Sequence, residues 1–158
     1  MNAAIEKMLT RHAIRRFRPE QISEAELRQV LEAGLYAPSA GNNQESRLVV
    51  CQDAKLNEKL GRINRFMQFK GQNPAAVAHA ISAAQPSIQD DFSILSGYYG
   101  VPTVIPLFTR DSKYRYEDAA MMGENMLLAA HFLGLGACYV GRAHSAGMIN
   151  SAGESVPR

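Results

Sequence analysis

The chain is short of cysteine, of long apolar runs, of clustered histidine and of any excess of one charge, and each shortage removes a class of protein. Its two cysteines, Cys51 and Cys138, stand far apart in separate apolar runs, LVVC and ACYV. They supply neither a disulfide framework nor zinc-ligand spacing, and read as small buried hydrophobes. Nowhere do about 18 apolar residues follow one another, so no membrane-spanning helix is indicated. The N-terminal MNAAIEKMLTRH mixes charge with apolar residues and lacks the apolar core of a secretory signal, which makes a cytoplasmic location the expectation. Seventeen basic against fifteen acidic residues leave a formal charge of +2, too little for a nucleic-acid surface.

Several chemical signatures are missing too. The histidines at 12, 79, 131 and 144 lack the pairing on one helical face that a metal site needs, so no metal is expected. His131, on an Ala/Leu-rich helix, reads as a core or interface residue. GLGACYVG at 134–141 contains G-x-G without the following G-x-x-G, and it closes a helix and enters a strand, the reverse of the dinucleotide-binding order. No P-loop, nucleophile elbow or nucleophile–base pair stands out, so no side chain is assigned to catalysis.

What is present is a globular composition, 46% hydrophobic and 20% charged over 158 residues, with no repeat, low-complexity tract or linker. One domain over 1–158 is expected, with a small, polar and poorly patterned tail from about residue 143. Asn2 can cap a first helix carrying Ile5, Met8 and Leu9. Ser23 and Glu26 form an S-x-x-E capping box ahead of Leu27, Val30, Leu31 and Leu35, predicting a helix from about Glu24 to Tyr36 that ends before Pro38. Arg47–Cys51 predicts a buried strand. Asp53 can cap a helix whose stripe is Leu56, Leu60 and Ile63.

Residues 75–84 are helix-compatible, and 90–99 suit a short helix or a lid-like loop. Val101–Phe108 predicts a strand that Pro106 confines to an edge, a bulge or an early end. A long helix follows from about Glu117 to Leu133, apolar nearly all round and so expected to be central and buried; a glycine cap closes it, and Ala137–Val140 predicts a further strand. Asp118 and Glu124 near the start of that helix favour its dipole. Helices and strands therefore interleave around one sheet, an α/β or α+β class.

Two stretches carry candidate chemistry. In RHAIRRF, residues 11–17, Arg11, Arg15 and Arg16 with His12 lie at a helix end. Guanidinium groups so spaced can converge on a phosphate, or can be solvated cations complementing the helix dipole. In APSAGNNQ, residues 37–44, Ser39, Asn42, Asn43 and Gln44 supply hydroxyl and amide groups while Ala40 and Gly41 permit close approach of a flat ligand. The same residue types also build an ordinary turn.

Taken in order, RHAIRRF, APSAGNNQ and ENMLLAAHFLGLGACYVG resemble the nitroreductase family of FMN-dependent flavoproteins, over most of the chain up to about Arg142 except 64–97. The resemblance implies an α+β fold with a central, mostly antiparallel sheet and a homodimer with FMN at its interface. It implies phosphate contacts from Arg11 and Arg15, with His12 and Ala13 beside them; where the family often has Ser, Ala13 offers only its backbone. Pro38, Ser39 and Ala40 would border the flavin ring, Asn42 and Gln44 would make polar contacts, and Tyr139, Val140 and Gly141 would cover the other part of the ring. The implied reaction passes hydride from NADH or NADPH through FMN to a small-molecule acceptor such as a nitroaromatic or quinone, in ping-pong order.

Departures from the family pattern define the alternatives. The usual N-x-Q-P-W is here Asn42, Asn43, Gln44, Glu45, Ser46, so the proline and tryptophan leading into the strand are missing. Family members continue past the ACYV strand with a helix, a strand and a tail that embraces the partner, which makes this chain read as a short or C-terminally truncated member. A flavin-binding module or inactive member with little turnover is the alternative, and a structural or interaction protein a third.

Overall fold

Local capping places the first two helices where the sequence pattern puts them. The computed structural model describes residues 2–69 and 95–141. Helix α1 spans Ala3–Thr10, and the Asn2 side chain accepts the Ala4 N–H at 2.8 Å. Helix α2 spans Glu24–Leu35 with both halves of the capping box formed: Ser23 Oγ accepts the Glu26 N–H at 3.2 Å, and Glu26 Oε2 accepts the Ser23 N–H at 2.9 Å. Tyr36 is its C-cap, ahead of Pro38.

Backbone contacts divide the chain into two compact units, Met1–Gln52 with Thr103–Tyr139 and Asp53–Pro102 with Val140–Arg158. In the first, strands β1 (Arg47–Leu48) and β2 (Leu107–Phe108) pair antiparallel, Arg47 opposite Phe108. The same register reaches an isolated bridge between Cys51 and Val104 and a Gln52–Thr103 side-chain hydrogen bond of 3.2 Å. Pro106 splits this ladder; having no N–H, it serves only as acceptor, from Val49 N–H at 3.2 Å. The predicted antiparallel pairing and the interruption at Pro106 are therefore present. The burial expected of Arg47–Cys51 is not: Val49 is 48% exposed, because a two-stranded ribbon leaves one face uncovered. Neither cysteine is in a disulfide among the described residues, and both are half-buried rather than buried.

Helix α4 (Arg115–Phe132; α3, Ala54–Phe69, belongs to the second unit) is the spine of the first unit. Val30 of α2 meets Met122, Met126 and Ala130 of α4 in the buried core, with Leu48, Ile105 and Leu107 packed against it. The expectation of burial nearly all round is corrected, since Met121 and Phe132 are exposed. Close packing of α2 on α4 depends on Gly34: a Cβ there would lie 2.7 Å from Met126 Cγ. Asn125 Nδ2 adds a hydrogen bond of 3.0 Å to the Ala33 carbonyl.

The end of α4 is a Schellman cap. Gly134 has φ +78°, its N–H bonds to His131 O at 3.0 Å, and Leu135 N–H bonds to Ala130 O at 2.8 Å. The strand predicted at Ala137–Val140 does not form. Among the described residues its one backbone link to another segment is Ile14 N–H to Ala137 O at 3.0 Å, and one bond makes no ladder.

In the second unit, helix α3 spans Ala54–Phe69, and Asp53 Oδ1 accepts the Leu56 N–H at 3.0 Å as the cap pattern predicts. Its stripe is corrected: Leu56 is exposed, and Asn57, Gly61 and Asn64 are the face turned inward. The segment 96–102 decides this through polar contacts. Gly97 N–H bonds to Gly61 O at 2.8 Å, Asn57 Nδ2 bonds to Pro102 O at 3.0 Å, and a Cβ on Gly61 would lie 1.9 Å from Ser96 Oγ. Residues 75–84, 90–94 and the tail from 143 lie outside the described residues.

Candidate functional site

Arg11 leaves α1 as its C-cap, where the backbone turns extended (φ −65°, ψ 133°) and releases the side chain from the helix. Its Nε lies 3.9 Å from Glu124 Oε1 on α4. One residue before, Thr10 Oγ1 meets His131 Nε2 at 3.0 Å, so two side-chain contacts hold the end of α1 against α4. Glu124, Leu127 and His131 follow at helical spacing and share a face. Against that face lies a cavity of about 250 Å³, lined on its polar side by Lys7, Arg11, His12 and His131, and otherwise by Ile14, Leu127 and residues 134–137. Gly136 lets the two segments approach, since a Cβ there would lie 3.0 Å from Ile14 Cγ2.

The cation-rich lining suits an anion. His12 Nδ1 meets the Thr10 carbonyl at 3.1 Å, which leaves its other ring nitrogen for a ligand. Ala13 and Arg15 are exposed and lie outside the cavity lining; neither Arg15 nor Arg16 makes a hydrogen bond or ion pair with the described residues.

The second candidate stretch forms a 3₁₀ turn, Ala40–Asn42, at the other flank of α4. Gly41, Asn42 and Gln44 have φ of +60°, +54° and +51°. Asp118 Oδ1 accepts the Ala40 N–H at 2.9 Å, Ser39 Oγ accepts the Gln44 N–H at 3.0 Å, and Asn42 Oδ1 accepts from Gln44 Nε2 at 3.3 Å. Pro38 is exposed and Ser39 half-buried. Glu45, where the family pattern has proline, faces Arg110 across the ribbon at 3.6 Å, and Ser46 is buried.

Tyr139 packs on Gly123 of α4, where a Cβ would lie 3.4 Å from Tyr139 Cε2; its ring remains 57% exposed. Val140, half-buried, and Gly141, exposed, belong to the second unit. Arg11, the 38–44 loop and Tyr139 are thus each fixed to α4. Arg11 and His12 share the cavity, whose lining contains no residue of 38–44. Reasoning from sequence missed Lys7 in this lining. It also read Asp118 and Glu124 as dipole partners, although they hold the loop and Arg11; no local pattern marks either contact.

Residues 8–151 match the model of the nitroreductase family. A nitroreductase with bound FMN from Bacteroides fragilis superposes with a TM-score of 0.73 at 26% identity, over 92% of this chain and 73% of that one. An FMN-dependent nitroreductase from Clostridium difficile gives a TM-score of 0.67 at 28% identity, over 89% and 61%. The NADPH-flavin oxidoreductase of Vibrio harveyi is 28% identical over 166 residues, which cover 98% of this chain and 58% of that protein. The expected α+β architecture is that of these neighbours, and with a family match over most of its length the chain belongs to the nitroreductase family.

Proposed function

We propose that the protein is an FMN-dependent oxidoreductase that takes hydride from NADH or NADPH and passes it to a small electron acceptor such as a nitroaromatic or quinone. The observation that carries this reading is the cation-lined cavity at Arg11, held to the same helix as the amide-bearing loop. The residues fit the phosphate end of FMN: Arg11 offers a planar fork of donors, and Lys7 and His12 add compact ones. Ligand pockets usually measure about 300–1,000 Å³. A cavity of about 250 Å³ therefore takes the phosphate end and not the whole cofactor.

FMN, when bound, supplies the two-electron chemistry, which accounts for an enzyme without an acid–base constellation. The chain's residues bind and orient. Arg11 exchanges its contact with Glu124 for phosphate oxygens, a cheap exchange because that ion pair is long and Glu124 is half exposed. Asn42 Nδ2 and Gln44 Oε1, both without partners among the described residues, offer a donor and an acceptor to ring heteroatoms. Arg15, exposed outside the cavity lining and without a partner among the described residues, is assigned to the phosphate by the family resemblance alone.

A second copy of the chain would complete the enclosure. A groove of about 450 Å³ between α2 and α4, lined by Ala33, Tyr36, Ala129, Phe132 and Leu133 with Gln29 and Glu32 as its polar members, supports a homodimer, and Tyr36 within it is 82% exposed. The deciding experiment is the anaerobic visible spectrum of the purified protein before and after NADH or NADPH. A flavin spectrum that bleaches is expected. A protein that stays colourless after incubation with FMN would refute the reading, and FMN bound without bleaching would make the chain a flavin-binding module.

A further inference from the structure

The loop at 38–44 has a backbone that needs holding. Three of its residues, Gly41, Asn42 and Gln44, have positive φ, and two of these carry a Cβ. Such backbone persists where the surroundings over-determine it. Most of the loop's hydrogen bonds are internal: Asn42 N–H to Ser39 O at 2.9 Å, Asn43 N–H to Ala40 O at 3.2 Å, Gln44 N–H to Ser39 Oγ at 3.0 Å. Arg47 Nη1 reaches Gln44 O at 3.2 Å from three residues away. These bonds shape the turn but fix it to nothing distant.

One hydrogen bond does. Asp118 Oδ1 accepts the Ala40 N–H at 2.9 Å across 78 residues of sequence, in partly buried surroundings. Asp118 itself sits in the first turn of α4, its N–H bonded to Tyr114 O at 2.9 Å, so the acceptor rides on the most firmly packed helix of its unit. A backbone N–H bonded to a carboxylate is a charge-assisted pair, roughly twice as strong as a neutral one. On the exit side, among the described residues, the loop is followed by the Glu45–Arg110 ion pair, with Arg110 79% exposed.

We propose that Asp118 is the positioning residue of the 38–44 loop, its carboxylate locking the turn at Ala40 so that Ser39, Asn42 and Gln44 are presented as one surface to the cofactor. What the loop presents itself to rests on the FMN reading; the lock itself does not. With the N–H groups of Ala40, 42, 43 and 44 engaged, the unbonded loop N–H groups among the described residues are those of Ser39 and Gly41. The loop then offers a ligand its side-chain groups and the N–H groups of Ser39 and Gly41.

The test compares Asp118→Ala, which loses the acceptor, with Asp118→Asn, whose amide oxygen can still accept from Ala40, and with Glu117→Ala, which removes a neighbouring first-turn acid without touching the loop. Hydrogen exchange of the 38–44 segment in the FMN-free protein is measured first. Exchange at least about tenfold faster in Asp118→Ala, a smaller rise in Asp118→Asn, and near wild type in Glu117→Ala, is expected, tenfold being the low end for the loss of a hydrogen bond to a charged group. Unchanged exchange in Asp118→Ala, or an equal rise in Glu117→Ala, overturns the lock. FMN affinity is then measured by flavin fluorescence on the same proteins. About tenfold weakening in Asp118→Ala with recovery in Asp118→Asn is expected, and equal affinities overturn the presentation role. Wild-type protein that binds no FMN refutes the FMN reading and the presentation to it, while the exchange data still decide the lock.

Discussion

Glu26 shows how much a single side chain can do within four residues. Hydrogen bonds from the Ser23 side chain and backbone hold its carboxyl below the ordinary value of 4.5. A carboxyl with a depressed folded-state pKa adds stability above its unfolded value, and that stability fades as pH falls through the folded value. The thermal midpoints of wild type and Glu26→Gln should therefore differ at pH 7 and converge as pH falls through the depressed folded value, below which both caps are neutral. Arg11 and Glu124 allow a test of opposite signs. Arg11→Ala should weaken FMN binding by about 1–3 kcal/mol in a fluorescence titration, as expected for a lost charge-assisted bond. Glu124→Gln, which frees Arg11 from a solvent-screened partner, should strengthen it by no more than about 0.5 kcal/mol. The cap residues Asn2, Ser23, Glu26, Asp53 and Gly134 were legible in the sequence because each acts on backbone a few positions away. Asp118 was not, because the N–H it accepts lies 78 residues off.

Among the elements, two helical glycines make opposite predictions. Gly34→Ala would push a methyl to within 2.7 Å of Met126 Cγ and 2.9 Å of its Sδ. Overpacking of this kind costs about 1–3 kcal/mol, readable as a lower denaturation midpoint. Gly123→Ala would place its methyl at ordinary contact distances from Tyr139 and Leu107, 3.4 Å and beyond. Alanine in a helix interior is favoured over glycine by up to about 1 kcal/mol, so this variant should be equally or more stable. The strands were the less legible elements. LVVC and VPTVIPLF did pair, but Pro106 and the lack of a third described strand left two short β segments with exposed valines. ACYV has strand-forming residues and no ladder partner among the described residues, and β structure exists only in pairs.

For the whole molecule, the exposed apolar side chains matter more than the buried ones. Leu9 is 71% exposed, and Leu35, Tyr36 and Phe132 are also exposed. Light scattering after size exclusion should give twice the chain mass, as the dimer reading requires. Tyr36→Asp, which places a charge within the α2–α4 groove, should shift that mass toward one chain.

Sequence alone determined helices α1 to α4, their caps, two of the strand-forming stretches and, through three ordered motifs, the family, because capping, periodicity and motif order are properties of neighbours along the chain. It could not decide which face α3 buries, which acid holds Arg11, or which acid locks the loop. Those depend on what packs against each element from far along the sequence: segment 96–102 against α3, and α4 against both Arg11 and Ala40. Tertiary structure alone made α4 the common support, because only folding brings its two flanks to the end of α1 and to the loop.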